Sequence, residues 1–275
     1  DGDFVSNDVP VLGTGNANDV TQQYKGSATL ESYFTRAIYT FDDKYNVTLS
    51  LRADGSSKFA KGNNWGYFPS ASASWRISEE AFLSGFNIVQ DIKLYGGYGE
   101  VGNQGIPNFA FGSGLRTVST DLGTGFEFAN FANPDLTWES STQANLGISF
   151  SLFKSSLNAT VEVYNKISKD FLFQFAATDF ITGGISPGAI TAPWVNIGKA
   201  ANRGIDVTLS YQKQISGVQW NSTLTISHYK NEVQELLGDL KINGSVNLDD
   251  SNQNITLTRP GQPIGLFFGY EIEGI

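Results

Sequence analysis

The segment Gly96–Gly105 (GGYGEVGNQG) has the residue spacing that most directly suggests chemistry in this chain. Gly97, Gly99 and Gly102 reproduce the G-x-G-x-x-G spacing of dinucleotide-binding proteins, whose glycines let the backbone approach a pyrophosphate. Such a site also needs a helix directly after the glycines, because the helix N-terminus binds the phosphate. The chain instead continues as NQGIPNFAFGSG (103–114), with a proline and no helical periodicity. We therefore expect a β-strand that enters a loop, with glycines that permit curvature or a close approach.

The other polar residues do not complete a catalytic or metal site. His228 is the single histidine, and the chain has no G-x-S-x-G nucleophile motif to accompany it. The segment Asp249–Asn254 (DDSNQN) begins like a calcium loop, with Asp250, Asn252 and Asn254 at alternate positions. It lacks the turn glycine and the closing glutamate of that loop. We expect no enzyme activity, no resident cofactor and no structural metal, with adventitious Ca²⁺ as the open alternative.

The composition excludes several classes of protein. The 275 residues include no cysteine, which removes disulfides, zinc-thiolate sites and cysteine nucleophiles. The net charge of −9 argues against a nucleic-acid partner, which requires a basic surface. No apolar run approaches the ~18 residues of a membrane helix, but the strands of a membrane barrel leave only a weak alternating signal. Without a methionine, the chain is expected to be a processed product or a segment of a longer protein.

Apolar residues alternate strictly with polar residues over long segments. In Tyr45–Asp54 (YNVTLSLRAD), Val47 and Leu49 share one face, whereas Thr48 and Ser50 share the other. The same pattern recurs in Ser70–Ser78, Thr142–Leu152, Leu157–Val163, Ile205–Tyr211 and Trp220–Ile226. Because side chains alternate across a strand, the pattern predicts an all-β chain whose strands have one apolar and one polar face.

Connections of two sizes alternate between these segments. The short ones are Asp42–Lys44, Phe153–Ser156 and Gln214–Gly217, and the long ones are Gly55–Asn64, Gly102–Thr137, Phe171–Ala200 and roughly Asn231–Asn254. Short turns at one end and long loops at the other are typical of outer-membrane barrels. The segment Glu79–Asp91 is an exception, because it should be a short turn and is longer.

Strand length and aromatic placement favour a membrane barrel over a soluble β-sandwich or solenoid, for which alternation is equally expected. The runs are about 10–14 residues long, whereas a tilted membrane strand needs about 9–11 and an ordinary strand about 5–6. Aromatic residues also cluster at the strand ends, where barrels place their interfacial girdles. They are Tyr33, Phe34, Tyr39, Phe41 and Tyr45 near one turn, and Trp65, Tyr67 and Phe68 near a loop.

Six motifs resemble SusC/RagA-like TonB-dependent transporters, the outer-membrane importers of Bacteroidetes. The first is LRADGSSKFAKGNNWGYFPSASASWRISEEAF (51–82), and IKLYGGYGEVGN (92–103) resembles a family strand that ends in Tyr-Gly-x-x-Gly-Asn. The others are NPDLTWESSTQANLGISFSLF (133–153), VEVYNKISKDFLF (161–173), NIGKAANRGIDVTL (196–209) and GQPIGLFFGYEIEGI (261–275). They follow the order of the family and cover nearly the whole chain from about Leu30 onward. The Gly96-Gly97 pair departs from the family, which more often has a small or hydroxyl residue there.

The resemblance implies an antiparallel transmembrane β-barrel of about 22 strands, in the Gram-negative outer membrane and in contact with its lipid. Residues 1–275 would be part of that single barrel domain and supply about eight or nine of its strands, without the plug domain and the remaining strands. An open sheet of this size leaves two unpaired edges, which lipid does not tolerate. We therefore expect other strands to complete the barrel.

The family resemblance also implies a function and a set of partners. The expected function is TonB-energised import of an oligosaccharide or peptide substrate, with a SusD-like lipoprotein as a lid and TonB acting through the missing plug segment. The alternatives are a soluble or surface β-rich glycan-binding module and a general diffusion porin.

Two groups of residues are candidates for contacts in such an importer. Aromatic side chains of the long loops can stack on sugar rings or pack against a protein partner. These substrate or partner candidates are Phe109, Phe111, Phe126, Phe128, Phe131 and Trp194, for which packing within the loops is the alternative. The candidates for a polar wall that faces the lumen and the plug are Asn46, Ser50, Arg52, Ser72, Arg76, Gln143 and Asn145.

Overall fold

The computed structural model describes residues 26–83, 85, 88–174, 189–238, 241–248 and 251–269. This part of the chain forms thirteen β-strands and two short 3-10 helices, Ile77–Glu79 and Ala81–Leu83. The strands are β1 Leu30–Phe41, β2 Tyr45–Ser56, β3 Trp65–Arg76, β4 Val89–Asn103, β5 Leu115–Thr120, β6 Gly123–Phe128, β7 Glu139–Leu152, β8 Leu157–Gln174, β9 Trp194–Ile215, β10 Val218–Glu235, β11 Ile242–Leu248, β12 Ser251–Thr258 and β13 Leu266–Phe267. Neither 3-10 helix has the length or apolarity needed to cross a membrane.

Eight of the strands form one antiparallel sheet in the order β1-β2-β3-β4-β7-β8-β9-β10. Each strand pairs with its neighbour along the chain, except that the hairpin of β5 and β6 is inserted between β4 and β7. Strands β11, β12 and β13 form a separate small sheet. The all-β, antiparallel prediction is confirmed, the eight strands of the main sheet match the eight or nine expected barrel strands, and this sheet is an open part of a barrel.

The two ends of the sheet differ as the connection lengths predict. Tight turns join β1 to β2, β7 to β8 and β9 to β10, and they contain left-handed residues such as Asp42 (φ 52°) and Ser216 (φ 48°). We call this side the turn end. The connection from β3 to β4 also lies here and contains the two 3-10 helices, which accounts for its greater length. The long connections lie at the opposite side, which we call the loop end.

The strand register separates a polar face from an apolar face. Thr48 pairs with Ser72, Ser72 with Gly97, and Gly97 with Asn145, so these four residues form one row across four strands on the polar face. The apolar face presents large side chains that no described residue covers. Examples are Leu49 (53% exposed), Leu146 (55%) and Leu224 (54%). A face of this kind requires a nonpolar environment, because exposed apolar patches of this extent are rare on soluble monomers.

Buried residues of the described chain gather at the loop end. Phe59, Ile106, Ala110 and Leu136 form a hydrophobic cluster that we call the loop core. Four partly buried side chains pack against it, namely Phe111, Trp138, Leu172 and Trp194. The connections β2–β3, β4–β5 and β6–β7 therefore form a packed crown over the sheet.

Aromatic rings cover glycines of neighbouring strands at several points. Tyr95 lies opposite Gly147, and Tyr164 lies opposite Gly204, both on the polar face. An added Cβ at Gly204 would lie 2.5 Å from the hydroxyl oxygen of Tyr164, and one at Gly147 would overlap the Tyr95 ring. A glycine at these positions is therefore what leaves room for each ring.

The aromatic girdle differs in part from its prediction. Tyr39, Phe41 and Tyr45 lie at the turn end on the apolar face, as expected. Tyr33 lies at the other end of β1, where its ring stacks on Trp65 with 6.0 Å between centroids.

Two further predicted girdle residues face the other way. Phe34 and Phe68 both pair with Arg52 in the register and therefore lie on the polar face. The prediction was wrong for Phe34 because β1 carries apolar residues on both of its faces, and for Phe68 because this position of β3 shares a face with Ser70 and Ser72.

Candidate functional site

All seven residues predicted to form a polar wall lie on the polar face of the main sheet. Strand β2 contributes Asn46, Ser50 and Arg52, β3 contributes Ser72 and Arg76, and β7 contributes Gln143 and Asn145. They share a face because the register pairs polar-face residues with one another from strand to strand. Gly97 and Gly99 of β4 continue these rows between β3 and β7. The structure thus places these side chains on one continuous surface.

The middle of this surface is a shallow trough. Two adjoining depressions of about 340 and 270 Å³ share Thr48, Ser72, Gly97 and Asn145 among their lining residues. Their floor is low because β3 has serines and β4 has glycines at the facing positions. An added Cβ at Gly97 would lie 3.2 Å from Oδ1 of Asn145, so a side chain there would fill the trough. The glycines of the apparent nucleotide motif therefore shape a wall surface.

A second concavity, which we call the mouth cleft, lies where the trough meets the loop end. It has a volume of about 610 Å³ and forms where β3 and β4 separate beyond the pair Ser70–Gly99. From there to its start at Trp65, β3 pairs with β2 alone. The lining side chains of the polar face combine aromatic and charged groups: Phe34, Arg36, Arg52, Asp54 and Phe68. Glu100 and Trp138 line the cleft from the side of β4 and the loop core.

An ion pair fixes one arginine of the mouth cleft. Arg52 Nε lies 2.9 and 2.7 Å from the two carboxylate oxygens of Asp54, which is only 6% exposed. The Arg52 side chain is 53% exposed, and its Nη2 also lies 3.5 Å from the Ser32 hydroxyl. Arg36 has no ion-pair or hydrogen-bond partner within the part of the chain that the structure describes. Of these three residues, the sequence pattern indicated Arg52 but not Arg36 or Asp54.

A network at the turn end surrounds Glu80. Its carboxylate accepts hydrogen bonds from the Tyr45 hydroxyl (2.6 Å) and from Trp75 Nε1 (3.1 Å), and it lies 3.6 Å from Lys44 Nζ. The hydrogen bond from Tyr45, followed by the one from Trp75, lowers the pKa of Glu80 below its ordinary value. Stacking of Tyr45 on Trp75, with 6.2 Å between centroids, holds the two donors together.

Arg76, a predicted wall residue, lies beside this network and has its charge paired. Its Nη2 lies 3.4 Å from Asp91 and 3.6 Å from Glu79. Arg76 thus ties the end of β3 to the connection that follows it and to the start of β4.

The six loop aromatics fall into two environments. Phe109, Phe126 and Phe128 are exposed, the last two on the β5–β6 hairpin. Phe111 and Trp194 pack against the loop core. Phe131 is partly buried, and its backbone N–H donates to the Thr191 carbonyl at 3.2 Å. The exposed three stay candidates for contact with substrate or a partner, whereas packing accounts for Phe111 and Trp194.

The other candidate sites lack the geometry of their chemistry. The glycine segment lies in β4 and continues into a loop, so no helix follows it to bind a phosphate. His228 pairs with Ile205 in the β9–β10 register, on the apolar face. Asp249 and Asp250 lie outside the described residues, whereas Asn252 and Asn254 belong to β12. The described ranges contain no group of three potential metal-binding histidine or acidic residues.

Comparisons with known proteins agree with this architecture. A family model described as "TonB dependent receptor-like, beta-barrel" matches residues 1–273. TonB-dependent receptor P3 of Formosa agariphila is 29% identical over 280 residues, which covers 99% of this chain and 27% of that protein. TonB-dependent receptor SusC of Bacteroides thetaiotaomicron is 30% identical over 225 residues, which covers 78% of this chain and 22% of SusC.

A solved structure shares the fold. A structure of the RagAB peptide transporter superposes with a TM-score of 0.76 at 24% identity, covering 96% of this chain and 28% of that one. The chain therefore spans about a quarter of the length of the relatives that it matches.

Proposed function

The chain belongs to the TonB-dependent receptor β-barrel family of integral outer-membrane proteins, and on that premise we propose that it forms part of an active importer of oligosaccharides or peptides. The family membership itself rests on the match over residues 1–273 and on SusC-like relatives. The remainder of the barrel and a plug would come from chain beyond these 275 residues.

The observation that carries the proposal is the polar face of the main sheet. One face exposes large apolar side chains, as a lipid-facing surface does, and the other is a continuous polar wall. The trough of serines and glycines lowers that wall in its middle, so a compact domain could lie against it closely. We assign this contact to the plug, whose displacement would open a path for cargo.

The loop end supports a role in receiving cargo. The loop core holds the long connections in place, and the exposed Phe109, Phe126 and Phe128 extend from this crown. Exposed aromatic side chains suit contact with sugar rings or with a protein surface. We propose that they face a SusD-like lipoprotein or the incoming cargo, and that TonB supplies the energy for import. The chain itself would carry out no chemistry on the cargo.

The proposal is tested on the complete transporter in its host bacterium. The gene is deleted, and uptake of a panel of labelled oligosaccharides and peptides is compared between the deletion strain and a complemented strain. We expect the deletion to abolish uptake of at least one member, and loss of TonB to do the same. Uptake that continues without TonB would indicate a diffusion porin, and unchanged uptake of the whole panel would refute the importer.

A variant that fills the trough adds a structural test. Ser72→Trp would fill the trough without altering the mouth cleft, because Ser72 lines the former and not the latter. We expect loss of uptake with retained cargo binding. Asn165→Trp, at a position whose register places it on the apolar face of β8, is the matched control.

A further inference from the structure

We propose that the mouth cleft binds a carboxylate group of the cargo through Arg36 and Arg52, an inference that rests on the proposed importer function. The cleft lies at the loop end of the polar face, directly below the crown that cargo would meet first. Its volume of about 610 Å³ is within the range of ligand-binding pockets.

Arg36 and Arg52 are adjacent on the polar face. Arg36 pairs with Ser50 in the β1–β2 register, and Phe34 pairs with Arg52, so the two arginines are diagonal neighbours. A guanidinium presents its N–H donors in a planar fork that matches a carboxylate and forms paired hydrogen bonds. Two such groups on one wall are a suitable receptor for that anion.

The donors of both arginines are available. Arg36 has no ion-pair or hydrogen-bond partner among the residues that the structure describes. Arg52 Nε donates to both carboxylate oxygens of Asp54, which orients that side chain, and Arg52 Nη1 has no hydrogen-bond partner among the described residues. Asp54 is only 6% exposed, and its ion pair with Arg52 holds that side chain at the cleft.

The charged side chains of the mouth cleft lie on different strands. Arg36 of β1 and Arg52 of β2 lie on one side of the cleft, Asp54 pairs with Arg52, and Glu100 lines the other side from β4. Lys58, a further cation near the cleft, donates from Nζ to the Gln104 carbonyl at 3.2 Å. An anion would therefore bind on the arginine side of the cleft, where β3 separates it from Glu100.

An aromatic surface adjoins the two cations. Phe34 lies two residues from Arg36 on the same face of β1 and is 66% exposed. The apolar patch of a sugar ring, or an apolar peptide side chain, can pack on such a ring. The combination suits an oligomer that carries carboxylates, either a uronic-acid oligosaccharide or an acidic peptide.

The test measures binding to the purified full-length transporter by titration calorimetry. Two pools of probes are used: oligogalacturonides with their methyl-esterified counterparts, and tryptic casein peptides with their carboxyl-amidated counterparts. We expect one of the acidic pools to bind about tenfold or more tightly than its neutralised counterpart, from the usual strength of charge-assisted hydrogen bonds. Which pool shows this preference distinguishes the two sources of the carboxylate.

Variants connect the preference to the cleft. Arg36→Gln should reduce the preference to near unity, and Arg36→Lys, which keeps the charge without the fork, should retain part of it. Lys166→Gln is the matched control, because Lys166 lies on the same face outside the mouth cleft. It should leave the preference unchanged.

The proposal is overturned if neither acidic pool is preferred, or if the preference survives the double variant Arg36→Gln/Arg52→Gln. It is also overturned if Lys166→Gln removes the preference as fully as Arg36→Gln does. TonB-dependent uptake of uncharged cargo without any preference would leave the importer function standing while the carboxylate site fails. A clear preference for an acidic pool without any uptake would leave the carboxylate site standing while the importer function fails.

Discussion

Replacing Gly102 by alanine tests whether the Phe68 ring is as tightly enclosed as the structure indicates. The ring is 8% exposed and makes an edge contact with Trp138, with 5.5 Å between centroids. A Cβ added at Gly102 would have its three nearest Phe68 ring atoms within 2.9 Å. Gly66 closes another side, because a Cβ there would lie 2.5 Å from Cζ of Phe68. The ring therefore has little room to move away from a new methyl group.

The expected cost follows from overpacking. Forcing a methyl group into a filled site costs about 1–3 kcal/mol, and part of this is the Phe68–Trp138 edge contact, worth about 0.5–1.5 kcal/mol. Alanine also restricts the unfolded chain, which stabilises by about 0.4–1 kcal/mol. We expect Gly102→Ala to lower the free energy of unfolding by about 1–2 kcal/mol after that offset.

Gly99→Ala is the matched control on the same strand. Its added Cβ would make only an ordinary contact, 3.4 Å from Cβ of Ser70, so we expect a neutral or slightly stabilising effect. The measurement is urea unfolding of the full-length protein in lipid vesicles. In a Phe68→Ala background, Gly102→Ala should lose its cost, because the space that the ring occupied is then free. Equal effects of the two glycine variants, within about 0.5 kcal/mol, would refute the enclosure of Phe68.

Three further predictions concern the two ends of the sheet. Because the pKa of Glu80 is lowered in the folded protein, we expect wild type to be more stable than Glu80→Gln at neutral pH. The difference in the free energy of unfolding should disappear as the pH falls below the ordinary value of 4.5 and through the folded pKa. Urea unfolding at a series of pH values measures this difference. Leu136→Ala, at a fully buried position of the loop core, should cost about 2–5 kcal/mol and increase proteolysis of the crown, whereas the exposed Leu122→Ala should change neither. Phe126→Ala should weaken cargo or partner binding without a change in the unfolding curve, whereas Phe111→Ala, which loosens the loop core, should destabilise the crown.

The faces of the strands could be predicted from the sequence because alternation allows only two arrangements. Once Val47 and Leu49 are placed on the apolar side, Asn46 and Ser50 must lie on the other. This is why the seven wall residues share one surface; that this surface faces the lumen and the plug stays a prediction.

The mouth cleft could not be predicted in the same way. It depends on where β3 and β4 stop pairing, at Ser70–Gly99, and on a strand, β1, whose two faces are both partly apolar. Arg36 lies in that strand and was therefore missed. The division of the loop aromatics also depends on contacts distant in sequence, such as Trp194 with the loop core, which no local pattern encodes.

The tyrosine–glycine pairs have a consequence for how the strands find their places during assembly. Sliding one strand by two residues keeps every apolar side chain toward lipid, so the alternating pattern does not oppose that error. Such a slip would bring Tyr95 opposite Asn145 or Ser149, and Tyr164 opposite Asn202 or Asp206, where side chains occupy the space that each ring needs. Gly147 and Gly204 therefore favour the native strand register over registers shifted by two residues, which are equally amphipathic but leave no room for the tyrosine rings.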